Sequence, residues 1–245
     1  DNSSFNHFLI PDNPNVPFDV FLPSKSIKKS FLGKKVLVKV EGWDNKYKNP
    51  IGKVVKIIGS VDDHNTQIKS ILLDYGFSPA FPKKVEEAAN LISREISEKE
   101  LKKRLDIRKT ATFTIDPKNA KDFDDAISVK QLNSGNWEIG IHIADVSHYV
   151  PVGGEIDKEA LSRATSVYLV DRVIPMLPEI LSNDLCSLRP NTDRLAYSVF
   201  FEMTESATIV NYKISKTVIH SDYRFTYKTA QKAIDNKKGV LANEL

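Results

Sequence analysis

The sequence predicts an α+β, multidomain chain: a small OB-type β-barrel over residues 1–60, a helical connector over 61–110 and a mixed α/β region over 111–245. Three observations carry this reading. Short β-branched runs broken by Pro, Asn and Gly fill the first region, and an apolar stripe at helical spacing followed by a capping sequence occupies the second. From Ala111 onward, strand-like runs alternate with short helical ones.

In the first region "HFLI", "FDVFL", "KKVLVKV" and "GKVVKII" read as four strands between turns. An OB barrel has five, and the chain opens in the loop-like "DNSS", so a first strand is expected to be missing. The charge here is lopsided. Nine lysines, among them Lys28, Lys34, Lys35, Lys46 and Lys48, lie between Ser26 and Gly59 against only Glu41 and Asp44. Such a run is either a solvated face or a surface that neutralises phosphates and releases counterions; charge alone favours neither. In a small barrel it suits single-stranded nucleic acid, bound by stacking and charge.

In the second region Val85, Ala88, Ala89 and Ile92 form one apolar helix stripe. Ser97 and Glu100 make a capping box for a following helix whose inner face is expected to carry Leu101 and Leu105. In the third region "TFTI", "AISVKQL" and "WEIGIHIA" read as strands, the last two joined by the turn "NSGN". "DKEALSRA" reads as a helix, "RLAYSVFFEMT" and "ATIVNYKISKTVIHS" as long strands, and "TYKTAQKAID" as a helix capped by Thr226.

Composition sets the outer bounds. Hydrophobic residues make up 41% and charged residues 27%, with a net charge of +3, ordinary for a soluble protein. No apolar run is long enough for a transmembrane helix, and the N-terminus lacks a basic signal-like segment. The single cysteine, Cys186, rules out an internal disulfide and fits a reducing compartment, so a cytoplasmic location is expected.

The most unusual stretch is "IDPKNAKDFDDAISV", which holds Asp116, Asp122, Asp124 and Asp125 between two strand-like runs. Turn chemistry accounts for one or two of these aspartates. A calcium loop beginning at Asp116 fails, because Lys121 stands where glycine is needed and Ile127 where glutamate is needed. What remains is a carboxylate site for a hard divalent cation, most naturally Mg²⁺, with Mn²⁺ as a substitute. In extended backbone Asp122 and Asp124 share a face and Asp125 points the other way. His142, Asp145 and His148 with Cys186 match no trusted zinc spacing; His142 reads as a structural histidine and Cys186 as a small buried hydrophobe. Arg189 and Arg194 suit either a phosphate or a structural ion pair.

Asp116-x5-Asp122-x-Asp124-Asp125 followed by "AISV" resembles the aspartate motif of the ribonuclease II/ribonuclease R family, whose catalytic module is the RNB domain. "IHIADVSHYV", "RATSVYL", "VIPMLPEILSNDLCSLRP" and "DRLAYSVFFEMT" match in order, while "PDNPNVPFDVFLP" and "NPIGKVVKIIG" resemble the cold-shock domain that precedes it. The resemblance implies a Mg²⁺-dependent exonuclease that degrades RNA processively from single-stranded 3′ ends to mononucleotides, without a small-molecule cofactor. It assigns all four aspartates to metal binding. Asp124 takes the role on which catalysis depends, holding a second ion or the attacking water, with Asp122 beside it. Tyr168 takes the place of the aromatic that stacks on the terminal nucleotide; read without the resemblance it is a core or edge-strand tyrosine.

The family's catalytic domain continues further, with a second aromatic clamp, an arginine on the scissile phosphate and an S1 domain, and a first cold-shock domain precedes the second. The chain is therefore expected to be an inactive fragment of such an enzyme. The rival readings are a non-catalytic single-stranded RNA-binding module with structural aspartates, and a nuclease acting on DNA.

Overall fold

The computed structural model describes residues 7–24, 27–43 and 48–236. Lys46 lies outside the described residues. The chain forms two compact units, Asp1–Ala80 and Phe81–Leu245.

The first unit contains β1 (His7–Leu9), β2 (Val20–Leu22), a 3-10 turn at Lys29–Phe31, β3 (Lys34–Gly42), β4 (Ile51–Ser60) and α1 (His64–Asp74). Among the described residues its four strands make one sheet in the order β1-β2-β4-β3. Three register shifts between β3 and β4 mark bulges, which bend and twist the long hairpin. Val20, Leu22, Leu72 and Pro50 are buried within the unit. The Asp63 side chain caps α1 by accepting from the Thr66 amide at 2.8 Å and the Thr66 hydroxyl at 2.7 Å.

The second unit begins with α2 (Lys83–Asn90), α3 (Glu98–Leu101) and β5 (Leu105–Asp106). Residues 61–110 are thus shared between the units, α1 in the first and α2 and α3 in the second. Val85 and Ala89 of α2 are buried, and Ala88 and Ile92 pack against the same core, as the stripe predicts. Only half of the capping box forms: the Ser97 hydroxyl accepts from the Glu100 amide, while the Glu100 carboxylate turns to Arg104. Leu105 departs from the expected helix face. Its backbone leaves the helix to pair in parallel with β12 (Ile209–His220), where the strand ladder supplies hydrogen-bond partners for the β5 backbone.

The remaining elements are β6 (Thr112–Asp116), β7 (Asp125–Gln131), β8 (Trp137–Ala144), α4 (Val146–Tyr149), α5 (Glu155–Arg163), β9 (Val167–Tyr168), β10 (Val173–Ile174), a π-helical turn at Leu181–Leu185, β11 (Asp193–Met203), β12, β13 (Tyr223–Thr226) and α6 (Tyr227–Asn236). Seven strands form one sheet in the order β13-β6-β7-β8-β11-β12-β5, antiparallel inside and parallel at both ends. One face carries small or polar inward residues: Gly140, His142, Ala144, Ala196, Ser198 and Thr217. A Cβ at Gly140 would strike the Ser128 hydroxyl and the His142 ring, so only glycine fits there. Leu181, Leu188 and Ile219 belong to the main core and are fully buried; each such side chain contributes about 1.5–3 kcal/mol by leaving water.

A second cluster lies where α6 packs Ala230 and Ala233 against Phe113 and Phe225, with Ile127 and Val129 beside them. Thr226 caps α6 as expected, its hydroxyl accepting from the Thr229 amide at 3.2 Å. Among the described residues no helix is long and apolar enough to cross a membrane.

Candidate functional site

Asp116 ends β6 and Asp125 begins β7, so the aspartate stretch is the loop joining two neighbouring strands. Phe123 is its buried peg, belonging to the main core. The loop around it is held by backbone. The Ser187 hydroxyl accepts from the Phe123 amide at 3.1 Å and donates to the Lys121 carbonyl at 3.1 Å, and the Leu188 amide donates to the Phe123 carbonyl at 2.8 Å. From β13, one Arg224 nitrogen donates to the Pro117 and Lys118 carbonyls, both at 2.8 Å, with the guanidinium 4.8 Å from the centre of the Phe123 ring. With Phe123 directed inward, Asp122 and Asp124 are left toward solvent on either side of it. Asp125 is also exposed: the next buried residue is Ala126, so strict alternation breaks between Asp124 and Asp125.

The carboxylates feel one another. Crowding by surrounding protein, then the charges of Asp122, Asp125 and Asp116, push the Asp124 carboxyl above its ordinary range, although the side chain keeps an exposed edge. Asp116 is raised as well, first by burial; the nearby Thr114 hydroxyl eases this, Asp125 deepens it, and Arg224 and Asp122 add smaller opposing effects. One carboxylate oxygen of Asp116, Oδ2, is buried and accepts no hydrogen bond of good geometry.

These oxygen donors fit a hard divalent cation in chemistry. They do not form a ready-made coordination sphere: among the described residues no three His, Cys, Asp or Glu side chains are gathered closely enough to hold a metal ion. The convergence expected of the four aspartates is therefore not present. Asp116 and Asp125 sit on the ends of neighbouring strands, near enough for the Asp125 charge to raise Asp116, and mutual repulsion opposes closing the carboxylates on a common point.

Beside the loop lies a cleft of about 740 Å³, lined among others by Asp116, Lys121, Asp122, Tyr168, Arg172 and Asn183. Tyr168 stands on the short β9–β10 hairpin, 68% exposed, and its hydroxyl donates to Asp122 Oδ2 at 3.2 Å. The negative charge of Asp122, then partial burial, raises the phenol pKa. Tyr168 is thus neither a core residue nor remote from the aspartates.

The other candidates resolve differently. His142 is fully buried, bonds through Nδ1 to the Ser198 hydroxyl at 2.7 Å, and is pushed by burial down to about 4, so it is a neutral structural histidine. Burial raises Cys186 to about 12 and leaves it inert. Arg194 bonds the Ser187 carbonyl and Asp184, and Arg189 also reaches Asp184; both are structural ion pairs. On the first unit Lys28, Lys34 and Lys48 are exposed, whereas Lys35 is tied to Asp12 at 2.7 Å and is not free for a phosphate. Ser187 and Arg224 escaped the sequence reading, because a serine or arginine that grips a distant backbone leaves no periodic or spacing signal.

A family model described as RNB domain matches residues 104–244, and one described as cold shock domain matches residues 8–82. Ribonuclease R of Thermotoga maritima is 40% identical over 235 residues, covering 95% of this chain and 33% of that protein. A solved structure of Mycoplasma genitalium RNase R with double-stranded RNA is 32% identical with a TM-score of 0.82, covering 96% of this chain and 43% of that one. Yeast Ssd1, described as a pseudonuclease, shares the fold at a TM-score of 0.71 and 20% identity, over 94% of this chain and 30% of that one. The chain spans about a third of the length of the curated relatives it matches.

Proposed function

The chain belongs to the RNB-domain family, and from that premise we propose that it serves in Mg²⁺-dependent hydrolysis of RNA from single-stranded 3′ ends, releasing nucleoside monophosphates. The observation that carries this reading is a set of mutually repelling carboxylates on a tethered loop, beside a cleft whose wall presents an exposed tyrosine. Asp116, Asp122, Asp124 and Asp125 would hold the cation, Mg²⁺ or Mn²⁺, which when bound stabilises charge on the phosphate oxygens. Asp124, exposed at the loop surface, accepts a hydrogen bond from the attacking water. The Tyr168 ring stacks on a base; such stacking is worth about 1–3 kcal/mol and tolerates any sequence. Lys28, Lys34 and Lys48 meet phosphates on the first unit.

In the full-length protein, Asp124→Asn is expected to lower cleavage by about a hundredfold or more while RNA affinity survives, since affinity rests on phosphate contacts and stacking. Gel shift and degradation of the same labelled RNA check both halves; retained cleavage overturns the role given to Asp124. Because the relatives are about three times as long, the 245 residues alone are expected to bind single-stranded RNA weakly, in a salt-sensitive way, and not to shorten it.

One observation favours a second reading, a non-catalytic RNA-binding module: the described carboxylates are not gathered around a common point. Calorimetric titration with Mn²⁺ separates the two. Binding that Asp125→Asn weakens supports the metal site, and no binding supports the module.

A further inference from the structure

We infer that Arg224 is the positioning residue of the aspartate loop, holding it in shape from a strand about a hundred residues away; this rests on the reading of Asp116, Asp122, Asp124 and Asp125 as a cation site. The argument begins with register. β13 runs parallel to β6, with Arg224 beside Thr114 and Thr226 beside Asp116, which brings the arginine to the start of the loop. From there the guanidinium makes two kinds of contact at once. It donates to two successive carbonyls, Pro117 and Lys118, and packs against the ring of the buried peg Phe123.

A planar, permanently charged fork does all of this together, whereas a lysine ammonium supplies charge without the stacking surface. Arg224 therefore fixes the direction in which the loop leaves β6, without touching the reacting phosphate.

The test uses the 245-residue chain, since the carbonyl of Lys118 belongs to the peptide bond that trypsin would cut. In the unsubstituted chain that bond is held and cleavage is slow. Arg224→Ala is expected to speed cleavage after Lys118 at least tenfold, leave cleavage elsewhere and the thermal midpoint little changed, and weaken Mn²⁺ binding about tenfold. Arg224→Lys should keep part of the Mn²⁺ affinity but not the protection, and it serves as the decisive variant if the alanine form does not fold. Equal cleavage after Lys118 in variant and unsubstituted chains overturns the proposal, as does a rise spread evenly over all sites, which marks a merely global effect. If the unsubstituted chain binds no Mn²⁺, the cation reading fails while site-selective cleavage still establishes the clamp.

Discussion

Asp124 and Asp145 flank the paired ends of β7 and β8, the Ala144 amide donating to the Asp124 carbonyl at 3.0 Å, yet their carboxyls are shifted in opposite directions. Burial would raise Asp145, but the Ser147 hydroxyl, Arg104 at 2.7 Å and Lys216 at 3.4 Å outweigh it and hold the carboxyl below its usual range. Arg104 is itself buried and also grips Glu100, which joins α3 to the sheet. Around Asp124 crowding and three like charges act, and every one of them raises it. The carboxylate that serves the fold is surrounded by cations; the one in the proposed cation site is surrounded by other carboxylates. Desolvation acts on both, and the company each keeps decides the sign.

Breaking the paired side should have the largest effect. Arg104→Met leaves Asp145 charged and buried, and is expected to destabilise the second unit by about 3–5 kcal/mol in urea unfolding. Arg104→Met combined with Asp145→Leu should recover much of that loss, because a buried pair replaced by apolar groups is often neutral. A smaller effect is expected at Lys35, whose partner Asp12 is lowered chiefly by the lysine's hydrogen bond. Lys35→Ala should cost about 0.5–1 kcal/mol, as for a partly exposed pair, and barely alter RNA affinity. Lys28→Ala should instead leave stability unchanged and reduce the salt dependence of RNA binding by about one unit of slope.

The smallest expected effect has the opposite sign. Because the folded-state pKa of Asp124 is raised, its ionisation costs stability above that pKa, and the cost vanishes below the unfolded carboxylate value of about 3.9. Asp124→Asn should therefore stabilise the chain at pH 7 by about 0.5 kcal/mol, after discounting for the solvent that reaches it. The gain should disappear as pH falls through the raised pKa toward 3.9. Asp145 follows the reverse rule: its contribution is present above the ordinary pKa and is lost as pH falls through its lowered folded value. Thermal melts of the unsubstituted and Asp124→Asn chains from pH 3 to pH 8 check the difference.

Most strands were legible because sheets with one packed face write their alternation into the sequence, as "WEIGIHIA" does with Gly140, His142 and Ala144. The aspartate stretch was legible because like charge beside apolar strands contradicts ordinary packing. Leu105 was misread because periodicity cannot tell that a short helix ends to let its chain join a sheet edge. Arg104 lay hidden in a lysine-rich run that resembles a solvated helix face; only the fold brings Asp145 to it. The placement of Asp125 also differed, since alternation fails where a loop turns into a strand.

The grip of Arg224 on the Pro117 and Lys118 carbonyls spans 107 and 106 positions of sequence. A ribosome adds roughly 5–20 residues each second. The aspartates are therefore made about 5–20 seconds before the strand that clamps their loop exists. Through that interval the nascent chain carries the charges without their final arrangement, so the site takes its shape only after the strand carrying Arg224 has been made.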